Sequence, residues 1–332
     1  MMCKNWITPA LLWEKWRFVV METEACSDDE NSVAVALETA IDLGYRLIDT
    51  AFAYKNEHFI GNTLKRIFQK GVVKREDLFI ITKLPQNGLR PESVEYFFKK
   101  SLKALQLDYI DLYLIHGPMA SKRTADDYEI LFFKDGAFEP DTSVDLVETW
   151  RAMEVLVDKG LIRSIGLSNF NSQQIQRIYN AAKIKPANLQ VECHAYLPQN
   201  EIFNFCKKLN ISVTAYAPIG SPGFDEYSSK IFGFKTERKR LLDDERLKPI
   251  CDKHQKSPAQ VLLKFLVQRN ICVIPKSSNP KRIKENIQIF DFTLDDDDMN
   301  ILKSMGKNFR YFTFDIVKGL TDHPEYPFKI PF

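Results

Sequence analysis

The sequence predicts a (β/α)8 barrel, an α/β fold also known as the TIM barrel, and three observations carry the prediction. Apolar strand-like runs alternate with amphipathic helical segments along most of the 332 residues. Such strands, separated by helices, form a parallel sheet covered on both faces. The rival is a doubly wound nucleotide-binding sheet, which needs Gly-x-Gly-x-x-Gly after its first strand; none of the 13 glycines forms it. No Pro- or Gly-rich linker interrupts the series, so residues 1–332 read as one barrel domain.

Seven strands stand out, at residues 47–49, 78–83, 109–116, 162–168, 189–194, 211–217 and 272–277. The eighth has to precede them, and residues 17–22 are the one apolar run available. Helical periodicity fills 56–68, with Phe59, Ile60, Leu64, Ile67 and Phe68 on one face, and then 91–105, 144–159, 172–182 and 201–209. The stretch 246–268 reads as two helices broken at Ser257-Pro258, and Pro280 suits the first turn of another. Residues 117–141 and 218–242 leave the C-terminal ends of strands. They are long enough to overhang the mouth as lids or binding loops. The tail, 308–332, is rich in aromatics without periodicity and is expected to strap across the barrel.

Composition narrows the partners. A net charge of +2 gives no overall attraction to nucleic acid or membrane. The six cysteines show no metal-ligand spacing and read as reduced thiols. The first 26 residues hold Leu11, Leu12 and Trp13, but are too short and charged for a secretory core or a span. The expectation is a cytoplasmic monomer that acts on small molecules and holds no metal.

Barrels of this kind keep their chemistry at the C-terminal ends of the strands. Asp49 ends one strand, Tyr54 follows in its loop, Lys83 ends the next strand and His116 the one after. Taken singly, each has an ordinary explanation as a cap, a surface ring or a satisfied imidazole. Together they close three consecutive strands and should converge. A phenol has an unperturbed pKa of about 10, and a neighbouring ammonium lowers it. A buried carboxylate would hold that ammonium, and an imidazole would position a carbonyl oxygen. This is a general acid with its tuning partners. One His and one Asp suit metal hydrolysis poorly. A glycosidase would need two free carboxylates across the cleft.

Gly44-Tyr45-Arg46-Leu47-Ile48-Asp49-Thr50-Ala51, with Tyr54, Glu57 and Gly61 behind it, resembles the aldo-keto reductase signature. The resemblance covers about residues 28–332 and implies reduction of aldehydes or ketones to alcohols by hydride from NADPH. It makes Tyr54 the acid, Lys83 and Asp49 its tuning pair, and His116 the group that orients the substrate. It also implies that Ser168, Asn169 and Gln190 hold the nicotinamide amide while Tyr216 faces the ring. Ile219 and Ser221 resemble the loop that folds over the pyrophosphate. The segment from Lys276 resembles the second family signature: Lys276, Ser277 and Arg282 would read the 2′-phosphate, and Glu285 and Asn286 the adenine. Pro280 at a helix start is expected to leave backbone N–H groups free for phosphate.

The chain departs from the family pattern in places. Glu24-Ala25-Cys26 stands where a first strand usually ends in Gly-Thr-Trp, so residues 1–27 form a divergent N-terminal segment. Gly117 follows His116 where bulk is common, and Pro85 follows Leu84 where Trp is common. Both positions would face the substrate. Ala217 replaces a frequent Ser, and Ala195 a usual Pro. The alternative reading is a catalytically impaired barrel acting as an NADP(H)-binding or structural protein.

Overall fold

A computed structural model describes residues 21–22, 30–123, 139–223, 239–315, 317–330 and 332. Most of the expected divergent N-terminal segment, including residues 24–26, and the middle of both mouth loops lie outside the described residues.

Eight strands lie in one sheet in chain order, every neighbouring pair parallel. They are β1 (Met21–Glu22), β2 (Leu47–Asp49), β3 (Phe79–Leu84), β4 (Ile110–Ile115), β5 (Ile162–Ser168), β6 (Asn188–Glu192), β7 (Ser212–Tyr216) and β8 (Cys272–Val273). The helices are α1 (Glu30–Asp42), α2 (Glu57–Gln69), α3 (Pro91–Leu105), α4 (Leu146–Asp158) and α5 (Ser172–Ala181). They continue with α6 (Asn200–Lys208), α7 (Leu247–His254), α8 (Pro258–Gln268), α9 (Pro280–Ile287) and α10 (Asp296–Ser304). The sheet curls until opposite strands touch: Gln190 on β6 reaches Asp49 on β2 at 2.7 Å. Outside it, α9 packs on α1, and the Tyr45 hydroxyl donates to the Ile283 carbonyl at 2.7 Å. The fold is the (β/α)8 barrel.

Alternation along each strand decides what goes where. Leu47, Phe79, Ile81, Leu112, Leu114 and Ile274 fill the lumen. Their neighbours Ile48, Ile80, Tyr113 and Ile115 face outward onto the helices and join the larger core. Each such Leu or Ile contributes about 1.5–3 kcal/mol by burial.

Local chemistry sets the helix ends. Asn171, Ser257 and Asp295 each accept a backbone N–H in a capping box, and Pro91 and Pro258 occupy first turns. The Ser257 cap explains the break expected at Ser257-Pro258. Gly61 is fixed by packing, since a Cβ there would come 2.2 Å from the Ala104 carbonyl oxygen. Helices α2 and α3 therefore touch backbone to backbone.

Three elements differ from the sequence reading. Helix α1 was not anticipated, although Val33, Leu37 and Ile41 are buried at helical spacing. Three alanines on its buried face and Val35, 52% exposed, flatten the amphipathic contrast. Helix α10 was likewise unassigned; its first turn is a run of aspartates, which reads as a solvated loop until Asp295 caps it. Strand β8 stops at Val273, because Pro275 has no N–H to extend a ladder. Of the candidate first strand at 17–22, residues 21 and 22 pair with Ile48 and Asp49 as β1, while 17–20 lie outside the described residues.

Candidate active site

Three strand ends meet at one side of the barrel mouth. Asp49 and Lys83 are both fully buried and form an ion pair. The Lys83 ammonium also donates to the Thr50 carbonyl at 2.9 Å and to the Tyr54 hydroxyl at 3.3 Å. Tyr54 sits on a 3-10 turn, Phe52–Tyr54, which Phe52 anchors edge-on to Phe97 with ring centres 5.1 Å apart. The other carboxylate oxygen of Asp49 accepts from Gln190 across the lumen. Burial pushes the Asp49 carboxyl up, and Lys83 and Gln190 oppose that push.

His116 follows β4, and its ring lies edge-on to Tyr54 with centres 5.6 Å apart. Burial, aided by the Lys83 charge, pushes its pKa down to about 3, so the imidazole is neutral near pH 7. Its Nδ1 is buried with no partner among the described residues. The His116 carbonyl accepts from Asn169 Nδ2 at 3.0 Å. Asn169, in the left-handed region at φ 61°, also donates to Ser168 Oγ at 3.3 Å and accepts from the Tyr216 hydroxyl at 2.8 Å. Asp49, Tyr54, Lys83, His116, Ser168, Asn169, Gln190 and Tyr216 thus form one network.

The remaining residues form two further groups. After β7, Ile219 and Ser221 are half-buried, and Ser221 lies at φ 46°. A Cβ on Gly220 between them, at φ 80°, would meet Leu241 at 2.9 Å. After β8, Lys276 is half-buried, Ser277 and Asn286 are buried, Glu285 is half-buried and Arg282 is exposed. Ser277 Oγ accepts the Asn279 N–H at 3.2 Å.

The expectation of free N–H groups at the start of α9 is corrected. Pro280 has none, and the N–H groups of Lys281 and Arg282 donate to Asn279 Oδ1 at 2.9 and 3.2 Å. The next N–H, of Ile283, bonds the Asn279 carbonyl at 2.9 Å. An anion here would be met by side chains. The sequence shows Asn279, whose position before a first-turn proline is the cap signature.

Pro85 and Gly117 are both buried. A Cβ on Gly117 would lie 3.6 Å from Gln86 Nε2, an ordinary contact, so the Gln86 amide borders the space that a larger side chain would enter. The base of the 117–141 loop is clamped, with Ser121 bridged to Pro140 and the Asp141 N–H bonded to Ala120 at 2.9 Å. Parts of the tail lie against the barrel. Phe312 lies edge-on to Tyr216 at 5.6 Å, and the Pro327 carbonyl accepts from Asn171 at 3.1 Å.

The sequence reading passed over Glu192. It is fully buried at the end of β6 and bonds the strap. The parity that turns Gln190 inward turns Glu192 to the same face, which is the signal that would have found it.

The model of the Aldo/keto reductase family matches residues 21–307. The chain is 43% identical over 317 residues to aldo-keto reductase family 1 member A1 of Gallus gallus, covering 92% of each chain. It is 42% identical over 301 residues to prostaglandin F synthase 1 of Bos taurus, covering 89% of this chain and 88% of the other. Among solved structures, the aldose reductase of Schistosoma japonicum superposes with a TM-score of 0.83 at 39% identity, covering 95% of each chain.

Proposed function

The chain belongs to the aldo/keto reductase family and is an oxidoreductase of carbonyl compounds; from that premise we propose that it reduces aldehydes or ketones to alcohols with NADPH, Tyr54 acting as the general acid. The observation that carries this reading is the Lys83 ammonium, buried against Asp49 and donating to the Tyr54 hydroxyl at 3.3 Å. An ammonium bonded to a phenolic oxygen stabilises the negative charge that develops there as the proton leaves. Asp49, fixed by Gln190, holds the ammonium in place.

His116, kept neutral by desolvation and the Lys83 charge, offers its N–H to the substrate oxygen without adding a competing charge. As that oxygen gains negative charge, the Tyr54 proton moves onto it and Lys83 stabilises the phenolate left behind.

The residues fit a nicotinamide dinucleotide, which when bound supplies the hydride. Ser168 has a hydroxyl to donate to the carboxamide oxygen. Asn169 Oδ1 and Gln190 Oε1 can accept from its nitrogen, and Tyr216 offers a ring face. Gly220, at φ 80° and packed against Leu241 and Tyr311, turns the backbone between Ile219 and Ser221, which would flank a pyrophosphate. Lys276, Ser277 and Arg282 would read a 2′-phosphate through their side chains, and Glu285 and Asn286 would meet the adenine.

We take the working unit to be a cytoplasmic monomer without nucleic-acid or membrane partners. Among the described residues no helix is long and apolar enough to cross a membrane. For the substrate, Pro85 and Gly117 favour bulky aromatic or alicyclic carbonyls over short aldehydes. A catalytically impaired barrel is not favoured, because the bonds that would tune Tyr54 are all formed.

NADPH oxidation by the purified protein against a panel of short aldehydes and bulky ketones tests this. Turnover favouring the bulky members supports it. Turnover of none overturns the function, and preference for short aldehydes overturns the substrate class.

A further inference from the structure

We infer that Glu192 is a positioning residue: it fixes residues 310–312 of the strap, and through them the Tyr216 ring and the segment after β7. The inference rests on the proposed cofactor reading. Glu192 is fully buried at the end of β6. One carboxylate oxygen accepts the Tyr311 N–H at 2.6 Å and the His194 Nε2–H at 2.9 Å; the other accepts the Phe312 N–H at 3.0 Å. The imidazole is oriented for this. The Leu197 N–H donates to His194 Nδ1 at 3.1 Å, which leaves the ring proton on Nε2, facing Glu192. The Arg310 guanidinium stands 3.9 Å from the carboxylate.

Two consecutive strap residues held by one carboxylate send their side chains to two parts of the site. Phe312 goes edge-on to Tyr216, whose hydroxyl bonds Asn169. Tyr311, only 3% exposed, donates its hydroxyl to the Lys239 carbonyl at 3.0 Å, and the same hydroxyl would lie 3.1 Å from a Cβ on Gly220. Glu192 therefore acts at a distance on the ring platform and on the backbone near the pyrophosphate segment. Farther along, the strap has anchors of its own. Gln174 on α5 donates to the Glu325 carbonyl at 3.0 Å, and Ser172 donates to the Phe332 carbonyl at 2.7 Å. Loss of Glu192 should loosen residues 310–312 and leave the rest of the tail in place.

Glu192→Gln tests this, because the amide keeps the shape and sets an N–H donor against a strap N–H. Hydrogen exchange without cofactor should accelerate in peptides covering 310–313 and 214–217, with 320–330 unchanged. NADPH binding, followed by fluorescence, should weaken roughly tenfold, the size expected for charge-assisted bonds lost. Phe312→Ala should weaken it too, and the double variant should fall well short of the product of the two effects. Unchanged exchange at 310–313, unchanged NADPH affinity or full additivity would each overturn the inference. Failure of the wild type to bind NADPH would overturn the cofactor reading instead, while the exchange pattern would still decide whether Glu192 anchors the strap.

Discussion

Replacing Lys83 with Met keeps the stem of the side chain and deletes the charge that is central to the site. Lys83 and Asp49 are both 0% exposed, so no water replaces the lost ammonium. Asp49 keeps its bond from Gln190 at 2.7 Å. Breaking a buried pair by removing one partner costs about 3–5 kcal/mol, and the surviving bond places this case near 3 kcal/mol. The cost should depend on pH. Burial already raises Asp49 above its usual value, and losing Lys83 raises it further. A carboxyl raised in the folded state holds its proton more tightly folded than unfolded. Stability therefore falls as pH rises from the ordinary carboxylate value through the folded one, and returns on acidification. Urea unfolding of both proteins should show a deficit of about 3 kcal/mol at pH 8 that shrinks as the pH is lowered to 5. A deficit equal at both pH values, or below about 1 kcal/mol at pH 8, would refute the desolvated pair.

Three further outcomes follow from single side chains. Glu57 is buried, and burial pushes its pKa from 4.5 to about 7, so it favours the fold below 4.5 and that contribution is lost as pH rises through 7; Glu57→Gln, which can still accept from Thr82, should stabilise the protein by up to about 3 kcal/mol at pH 8 and by little at pH 4.5, read by urea unfolding. Gly61→Ala should cost at least about 1–3 kcal/mol, because its Cβ would meet α3 backbone at 2.2 Å; a thermal melt unchanged from wild type would contradict the close approach. Lys276→Ala or Arg282→Ala should weaken NADPH about ten- to a hundredfold with little effect on NADH, since the capped start of α9 leaves recognition of the 2′-phosphate to side chains; equal losses in fluorescence titrations would count against that role.

Strand parity made most of the fold and half of the site legible. Once residues 47–49, 78–83 and 109–116 are read as parallel strands, Asp49, Lys83 and His116 must end on one side of the mouth. Gln190 and Tyr216 follow from the same alternation. Helix α1 was hidden by weak contrast, with alanines inside and Val35 outside. The Asn279 cap was visible as a residue type, but its two accepted bonds depend on a rotamer that spacing does not fix. The role of Glu192 lay deeper, because the strap groups it holds are backbone N–H groups about 120 residues away in a tail with no periodicity. The Gln86 amide beside Gly117 is a fact of packing, and no pattern in the sequence announces it.

The most direct measurement compares wild type and Tyr54→Phe in single-turnover reduction of a bulky aromatic aldehyde, with NADPH affinity measured on the same samples. Removing the hydroxyl deletes the proton donor that Lys83 contacts at 3.3 Å and leaves the ring beside His116 in place. NADPH should bind the variant nearly as tightly as wild type, while the rate of reduction falls by about 10²–10⁴-fold. A Phe variant that reduces the aldehyde at close to the wild-type rate would contradict Tyr54 as the acid.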